Sequence, residues 1–143
     1  MIRGFSQTDL KQVSRLEFEN FRNPWATQQF QSYCIGSSDS MSYVYKKSGK
    51  VIGYLMTQII GDEIHLHNIS VSQRYQNNKI GFNLMSHLIS EGRLRDKRKI
   101  SLEVNENNIF ALKLYYSLGF IKVGVREKYY ANNESAILMD YKF

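Results

Sequence analysis

One amphipathic helix lies between two apolar, β-prone segments, and this order constrains the fold more than any other feature of the chain. Residues 64–71 read IHLHNISV, residues 78–95 read NKIGFNLMSHLISEGRLR, and residues 98–104 read RKISLEV. Ile80 and Leu84 begin an apolar stripe at helical spacing in the middle segment. Two strands joined through a helix run parallel to each other. The sequence therefore predicts a sheet with a parallel strand pair and a helix on one face.

The rest of the chain adds antiparallel strands and further helices. Residues 41–47 and 51–60 flank the turn SGK and predict a hairpin that residues 64–71 extend into a meander. The other predicted elements are a strand at 2–5, helices at 8–21, 26–34 and 108–119, a loop at 36–40, and strands at 120–126 and 135–143. Thr8 is the predicted N-cap of the first helix. The order β-α-α-β-β-β-α-β-α-β-β predicts one α/β domain over residues 1–143.

Composition limits the kinds of ligand that the protein is expected to bind and the cellular compartment in which it is expected to work. The 143 residues carry a net charge of +6, which favours anionic ligands such as nucleic acid, an acidic membrane face or a phosphate-bearing small molecule. Cys34 is the single cysteine, which excludes an internal disulfide, and no histidine stands near it in sequence to activate a thiol. No apolar run reaches membrane-spanning length, and the first residues lack a signal-peptide core. We therefore expect a cytoplasmic protein without membrane attachment.

A polar turn, QRYQNNK at residues 73–79, leads into the central helix. The first turn of a helix presents free N–H groups and a partial positive charge, which together bind anions. Gly81 leaves room for a phosphate oxygen to approach the backbone, and Lys79 adds a full charge. The stretch lacks the spacing of dinucleotide-binding and P-loop motifs. It predicts a phosphate site, with an ordinary strand–helix connection as the alternative.

Polar side chains on the flanking strands are candidates for chemistry. Alternation places Glu103 on the face opposite to Ile100, where a lone carboxylate either reaches water, forms an edge ion pair or serves catalysis. His65 and His67 share one face of their strand. Two histidines alone do not make a metal site, and no third ligand is evident, so we expect no metal.

Three stretches together resemble the GNAT acetyltransferases, and most closely their N-terminal (α-amino) protein acetyltransferases of the ribosomal-protein-alanine type and archaeal relatives. They are NISVSQRYQNNKIG, SLEVNENNIFALKLYYSLGF and REKYYANNESAILM, and EFENFRNPW near the start also resembles that branch. The resemblance implies the acyl-CoA N-acyltransferase fold, with a mixed, mostly antiparallel sheet of about seven strands flanked by four helices. It also implies transfer of acetyl from acetyl-CoA to protein N-termini, for instance of a ribosomal protein.

The resemblance assigns the coenzyme site residue by residue. The family pattern Q/R-x-x-G-x-G/A is matched from Gln76 onward, with Lys79 in place of its first glycine. The implied cradle comprises Gln76, Asn77, Asn78, Lys79, Ile80, Gly81 and Phe82. The preceding strand offers its main chain to the pantetheine and the acetyl carbonyl at Ile69, Ser70 and Val71. Asn108 matches a residue that hydrogen-bonds the coenzyme; a helix N-cap is its alternative role.

Catalysis in the family proceeds by direct attack without a covalent intermediate. The signature N-x-x-A-x-x-x-Y-x-x-x-G-F is matched by Asn108, Ala111, Tyr115, Gly119 and Phe120. It makes Tyr115 the general acid that protonates the departing thiolate, as a phenol of pKa about 10 can at neutral pH. Glu103 takes the place of the general base. His65 matches a histidine of the archaeal branch that assists it.

Aromatic residues resemble the walls of a peptide groove, with Phe21, Pro24 and Trp25 on one side and Tyr129 and Tyr130 on the other. The family's E-D-A after the tyrosines is Glu-Ser-Ala here, so one acidic group is missing. Protein N-termini are the implied partners, with association with the ribosome and a monomeric or weakly dimeric assembly.

Two other functions fit parts of the sequence. The same fold could act on a lysine side chain or a small amine such as a polyamine or aminoglycoside, whose pockets usually carry several carboxylates. A basic, non-enzymatic nucleic-acid-binding domain is the second alternative. The run RLRDKRK at residues 93–99 is typical of a solvated helix end, but it could also contact the coenzyme's 3′-phosphate or ribosomal RNA.

Overall fold

The computed structural model describes residues 1–34 and 40–143, so the loop predicted at 36–40 lies outside the described residues except for Ser40. The strands are β1 Ile2–Gly4, β2 Tyr43–Lys47, β3 Lys50–Ile60, β4 Glu63–Val71, β5 Lys99–Asn105, β6 Ile121–Arg126 and β7 Ala136–Lys142. The helices are α1 Leu10–Asn20, α2 Thr27–Cys34, α3 Ile80–Leu94 and α4 Ile109–Leu118. The predicted order of elements is confirmed.

The strands form one sheet in the order β1-β2-β3-β4-β5-β7-β6. The meander of β2, β3 and β4 is antiparallel, and β4 and β5 are parallel, as the helix between them predicts. Pairing of β4 with β5 covers only their first residues and ends where His65 lies opposite Ser101. Beyond that point the two strands separate, which leaves a gap in the middle of the sheet.

A β-bulge interrupts β4 beside this gap. Met56 of β3 lies opposite Asn68, but the next residue, Thr57, lies opposite Leu66. The register therefore skips His67, which is the extra residue of the bulge. Bulges bend a strand and change the direction of a side chain, and they occur frequently next to active sites.

Two apolar cores hold the helices against the sheet. The larger lies under α3 and α4 and contains Leu84, Leu88 and Tyr115 from the helices with Ile64 and Ile100 from the strands. The smaller lies under α1 and α2 on the opposite face and contains Val13, Leu16, Phe30, Val44, Tyr54 and Met56. The two cores thereby hold the C-terminal end of α1 and the N-terminal end of α3 beside the gap between β4 and β5.

The prediction that Thr8 is the N-cap of α1 is wrong. Residues Gln7–Asp9 form a short 3-10 helix capped by Ser6, and α1 begins at Leu10. The Asp9 carboxylate accepts a hydrogen bond from the Ser6 N–H at 3.0 Å. It also pairs with Arg3 of β1 at 2.5 Å. Asp9 is itself the N-cap of α1, so the predicted cap at Thr8 is one residue too early. The 3-10 turn before the helix, which helical periodicity does not distinguish from α1, accounts for the difference.

Candidate active site

A cavity of about 900 Å³ occupies the gap between β4 and β5, a size that suits a small-molecule site. Its lining comes from the end of α1, the open half of β4, the following turn, the first residues of α3, the end of β5, and α4. Tyr130, from the connection between β6 and β7, also lines it. Most of the predicted site residues therefore meet at one place.

The turn at residues 76–79 delivers the N-terminus of α3 to the cavity. The first bond of the helical ladder runs from the Asn83 N–H to the Lys79 carbonyl at 2.9 Å. The N–H groups of Gly81 and Phe82 precede that bond and have no partner within the helix. Among the described residues no side chain caps this end of the helix. The donors therefore remain available to an anion in the cavity.

Gly81 is not required by packing. A Cβ atom added there would lie 3.7 Å from Leu114 and 3.9 Å from Val71, which are ordinary van der Waals distances. Packing therefore gives no reason for a glycine here, which weakens the alternative of an ordinary strand–helix connection. The remaining physical reason for glycine is an unhindered backbone that an anion in the cavity could approach.

Lys79 adopts the left-handed conformation, with φ 61°, immediately before α3. Asn77 does the same with φ 67°. Glycine takes this conformation without strain, whereas a lysine does not. Lysine in place of the family's glycine at position 79 therefore strains the backbone. It also places a positive charge at the edge of the cavity.

The open half of β4 exposes backbone groups to the gap. Ser72 N–H donates to the Ile52 carbonyl of β3 at 2.8 Å. Because the ladder of an antiparallel pair alternates, the N–H of Val71 then points away from β3 and toward the gap. The Val71 carbonyl accepts from Asn20 Nδ2 at 2.9 Å and from Gln76 Nε2 at 3.3 Å. Ser70 is buried, with its hydroxyl bonded to Asn20 at 2.6 Å.

Two residues of the α4 segment reach the cavity from the other side. Asn108 is the N-cap of α4 and accepts from the Ala111 N–H at 3.2 Å, so its capping role is confirmed. Tyr115 is 4% exposed and lines the cavity. Burial raises the pKa of Tyr115 above 10, so the hydroxyl keeps its proton at neutral pH. It meets the chemical requirement for a proton donor.

Glu103 lies on the open face of β5, as the alternation predicts, and lines the cavity. Its Oε1 is 3.2 Å from Nη2 of Arg126 on β6. An edge ion pair therefore does form, with an arginine as partner. The Glu103 side chain is 33% exposed, so it also remains open to a ligand.

The two histidines of β4 have different surroundings. His65 lies beside Ser101, and its Nε2 is 3.1 Å from Oε1 of Glu63. His67, rather than His65, is the histidine that lines the cavity. The family resemblance pointed to His65, and alternation alone put both histidines on one face. The bulge at His67 separates them, and it cannot be recognised from alternation.

Of the aromatic residues predicted to form the walls of a peptide groove, some line the cavity and others pack behind it. Phe21 and Tyr130 line the cavity. Trp25 instead packs against Phe30 at 5.0 Å and stacks on Tyr33 at 5.4 Å, so it supports the wall from behind. Tyr129 lies edge-on to Tyr130, with ring centroids 5.1 Å apart, and below the Arg126 guanidinium.

Sequence reasoning missed a buried carboxylate behind the site. Glu17 of α1 is 2% exposed. It accepts hydrogen bonds from the Tyr54 hydroxyl at 2.6 Å, Asn68 Nδ2 at 2.8 Å and the Trp25 N–H at 2.9 Å. Burial and the bond to Glu17 raise the pKa of Tyr54, so its hydroxyl stays a donor. The only sequence signal was a glutamate next to the apolar stripe of α1.

The basic run at residues 93–99 lies at the C-terminal end of α3, away from the helix N-terminus in the cavity. Arg98 pairs with Asp62 at 3.4 Å and with Glu63, and Lys99 pairs with Asp140 at 3.4 Å. These pairs support the solvated-end interpretation rather than a contact with the coenzyme. In the described part of the chain, no group of three or more His, Cys, Asp or Glu side chains could hold a metal ion. None of its helices has the length and apolar character that a bilayer crossing requires.

A parallel strand pair opens beside an uncapped helix N-terminus, and a buried tyrosine and a carboxylate line the opening. This arrangement can bind an anionic coenzyme and transfer protons, as a group-transfer enzyme requires. A sequence model of the Acetyltransferase (GNAT) family matches residues 10–120, and the chain belongs to this family. The enzyme is an acetyl-CoA-dependent N-acetyltransferase. Its membership in an enzyme family leaves no ground for the alternative of a non-enzymatic nucleic-acid-binding domain.

The comparisons include relatives along almost the whole chain. The ribosomal protein bS18-alanine N-acetyltransferase of Escherichia coli K12 is 33% identical over 141 residues, which covers 96% of this chain and 94% of the relative. A crystal structure of the ribosomal-protein-S18-alanine N-acetyltransferase from Escherichia coli aligns with a TM-score of 0.92 at 32% identity, over 99% of this chain and 92% of that one. Ard1 from Thermoplasma volcanium has the same fold, with a TM-score of 0.90 at 22% identity, over 99% and 96% of the two chains.

Proposed function

We propose that this enzyme acetylates the α-amine at the N-terminus of a protein. One observation favours this acceptor over a small polyamine. Of the described residues that line the cavity, Glu103 alone carries a carboxylate, and the other acceptor-side groups are Phe21, Tyr130 and neutral polar side chains. A polycationic acceptor would need several negative charges, whereas a single α-amine needs one proton acceptor and a slot for the peptide backbone.

The coenzyme is proposed to lie with its diphosphate against the first turn of α3. The N–H groups of Gly81 and Phe82 and the charge of Lys79 supply the attraction there. The remaining cradle residues, from Gln76 to Ile80, shape the turn. The Val71 N–H, which points into the gap, polarises the thioester carbonyl, and Ile69 and Ser70 border the pantetheine. Asn108 adds a polar contact on the α4 side.

Glu103 is proposed to accept a proton from the acceptor amine, directly or through a water molecule. An α-amine has an ordinary pKa of about 7.7–8.0 and a lysine about 10.4, so an N-terminus is easier to deprotonate at neutral pH. Tyr115 is proposed to protonate the departing sulfur. The resemblance also implied that His65 assists Glu103, and this role remains a prediction. His65 does not line the cavity, and its Nε2 lies 3.1 Å from Oε1 of Glu63.

A ribosomal protein with a small first residue is the proposed acceptor, on the strength of the names of the relatives at 33% and 32% identity. Phe21 and Tyr130 would flank the first residues of such a chain, with Trp25 supporting one wall and Tyr129 the other. Encounter with the ribosome or with the free ribosomal protein would supply this substrate.

The test is a thiol-release assay with acetyl-CoA and peptides that differ only in their first residue. A second set carries the same sequences with a blocked N-terminus and an internal lysine. Activity on the free peptides, highest for alanine or serine in first position, is the expected result. Activity on the blocked, lysine-containing peptides alone would instead establish a side-chain acetyltransferase.

A further inference from the structure

His67 is placed in the cavity by the bulge of β4. Pairing of β4 with β5 ends where His65 lies opposite Ser101, so two residues further along each strand stand His67 and Glu103. Both line the cavity. His67 has no partner in β3, because the register passes from Asn68 to Leu66. The bulge thus gives up one backbone pairing of β4 with β3 and turns the His67 side chain toward the cavity.

Tyr33 of α2 fixes the ring of His67. The Tyr33 hydroxyl lies 2.7 Å from Nδ1 of His67, and the two rings meet edge to face at 6.0 Å. Trp25 stacks on Tyr33 from behind. Burial raises the pKa of Tyr33, so the phenol remains neutral. When Nδ1–H donates to the phenol oxygen, the lone pair of Nε2 is left free.

Charged and titratable groups from three elements surround this imidazole. They are Tyr33 of α2, His65 of β4 and Glu103 of β5; Tyr130 borders the same cavity, and Arg126 pairs with Glu103. Burial and the neighbouring His65 lower the pKa of His67 below 6.5, while Glu103 opposes that change. The imidazole is therefore neutral at pH 7 and able to take up a proton.

We propose that His67, held by Tyr33, is a second proton acceptor for the substrate amine beside Glu103. The inference rests on the proposed function. Conversion of an ammonium group to an amide removes two protons from nitrogen, while the nitrogen–carbon bond forms and the carbon–sulfur bond breaks. Sulfur takes one proton from Tyr115, which is then reprotonated, so one proton is released per turnover. Glu103 and His67 together supply one acceptor for each of the two protons.

The test compares kcat and kcat/KM of wild type, His67→Gln and Tyr33→Phe between pH 5.5 and 9 on a peptide with a free N-terminus. Glutamine keeps a hydrogen-bonding side chain but cannot titrate. We expect kcat of His67→Gln to fall by about 10- to 100-fold at pH 7. The acid-side inflection below pH 6.5 should disappear, while the inflection of the amine itself remains. Tyr33→Phe should give a smaller loss and move the same inflection.

His87→Gln is the matched control, because this histidine lies on α3 beside Glu91 and Tyr43, away from the cavity. Melting temperature and calorimetric acetyl-CoA affinity establish that each variant is folded and binds the coenzyme.

A His67→Gln enzyme with the kcat and pH profile of wild type would overturn the inference and leave the proposed function intact. Wild type that releases no thiol with free N-termini would instead remove the proposed function. Should His67→Gln fail to fold, an unchanged pH profile of Tyr33→Phe overturns the inference alone.

Discussion

The guanidinium of Arg126 on β6 lies 3.2 Å from the carboxylate of Glu103 on β5, at the open side of the cavity. Their side chains are 55% and 33% exposed. An ion pair this open to water contributes little to stability, typically about 0.2–1 kcal/mol. If Glu103 accepts a proton from the acceptor amine, as proposed, then Arg126 and the positively charged amine compete for the same carboxylate.

Replacing Arg126 by Gln should therefore improve the capture of the acceptor. Loss of a competing interaction of about 0.2–1 kcal/mol corresponds to a KM for a free-amine peptide lower by up to about five-fold, with kcat changed less. Steady-state kinetics at low ionic strength measures the effect. Lys122→Gln, on the same strand, removes one charge away from Glu103 and should leave KM unchanged. A higher KM for Arg126→Gln would show that the arginine binds the peptide instead.

Replacing Glu103 by Gln removes the proposed proton acceptor at nearly constant shape. The expected loss in kcat/KM is about 10²- to 10⁴-fold at pH 7, where the acceptor amine is mostly protonated. The loss should shrink above pH 8, because the amine then deprotonates without help. A pH series from 6 to 9.5 measures this trend, with Glu106→Gln on the adjoining loop as the control. An equal loss at every pH would contradict the role of Glu103 as base.

Glu17 should prove to be a stability residue. Two donors meet one of its carboxylate oxygens and a third meets the other, all within a buried site. Glutamine has a single acceptor oxygen, so at least one buried donor would face an NH₂ group. We expect Glu17→Gln to lower the free energy of unfolding by about 1–3 kcal/mol in urea titrations. The exposed Glu19→Gln on the same helix should change it by less than about 0.5 kcal/mol. Similar values for both would argue against the buried network.

Lys79→Gly should separate conformation from charge at the coenzyme turn. Glycine relieves the left-handed strain, so the unfolding free energy should rise by up to about 1 kcal/mol. Loss of the lysine charge should simultaneously weaken acetyl-CoA binding, measured by calorimetry. The same substitution at Lys113, within α4, should destabilise by about 1 kcal/mol, because the helix interior disfavours glycine. Destabilisation by Lys79→Gly would contradict the strain at this position.

The parts of the fold that the sequence predicted were those fixed by local periodicity. The parallel β4–β5 pair follows from an amphipathic helix between two apolar strands, and Glu103 faces outward because strand residues alternate. Gly81 was predicted from the polar turn before α3 and Tyr115 from the family resemblance, and both line the cavity.

The features that the sequence did not predict depend on contacts between distant segments. The bulge that singles out His67 is a relation between β3 and β4, and its residues carry no special pattern. Glu17 is buried because donors from β3, β4 and the chain after α1 converge on it, although a glutamate in an amphipathic helix normally faces water.

The position of the acetyl group on a peptide that offers both kinds of amine tests the central claim most directly. The peptide begins with a free alanine and carries one internal lysine, and tandem mass spectrometry locates the acetyl group after incubation with enzyme and acetyl-CoA. The account predicts acetylation of the alanine nitrogen, with Glu103→Gln slowing that product at pH 7. Acetyl found on the lysine while the N-terminus stays free would contradict it.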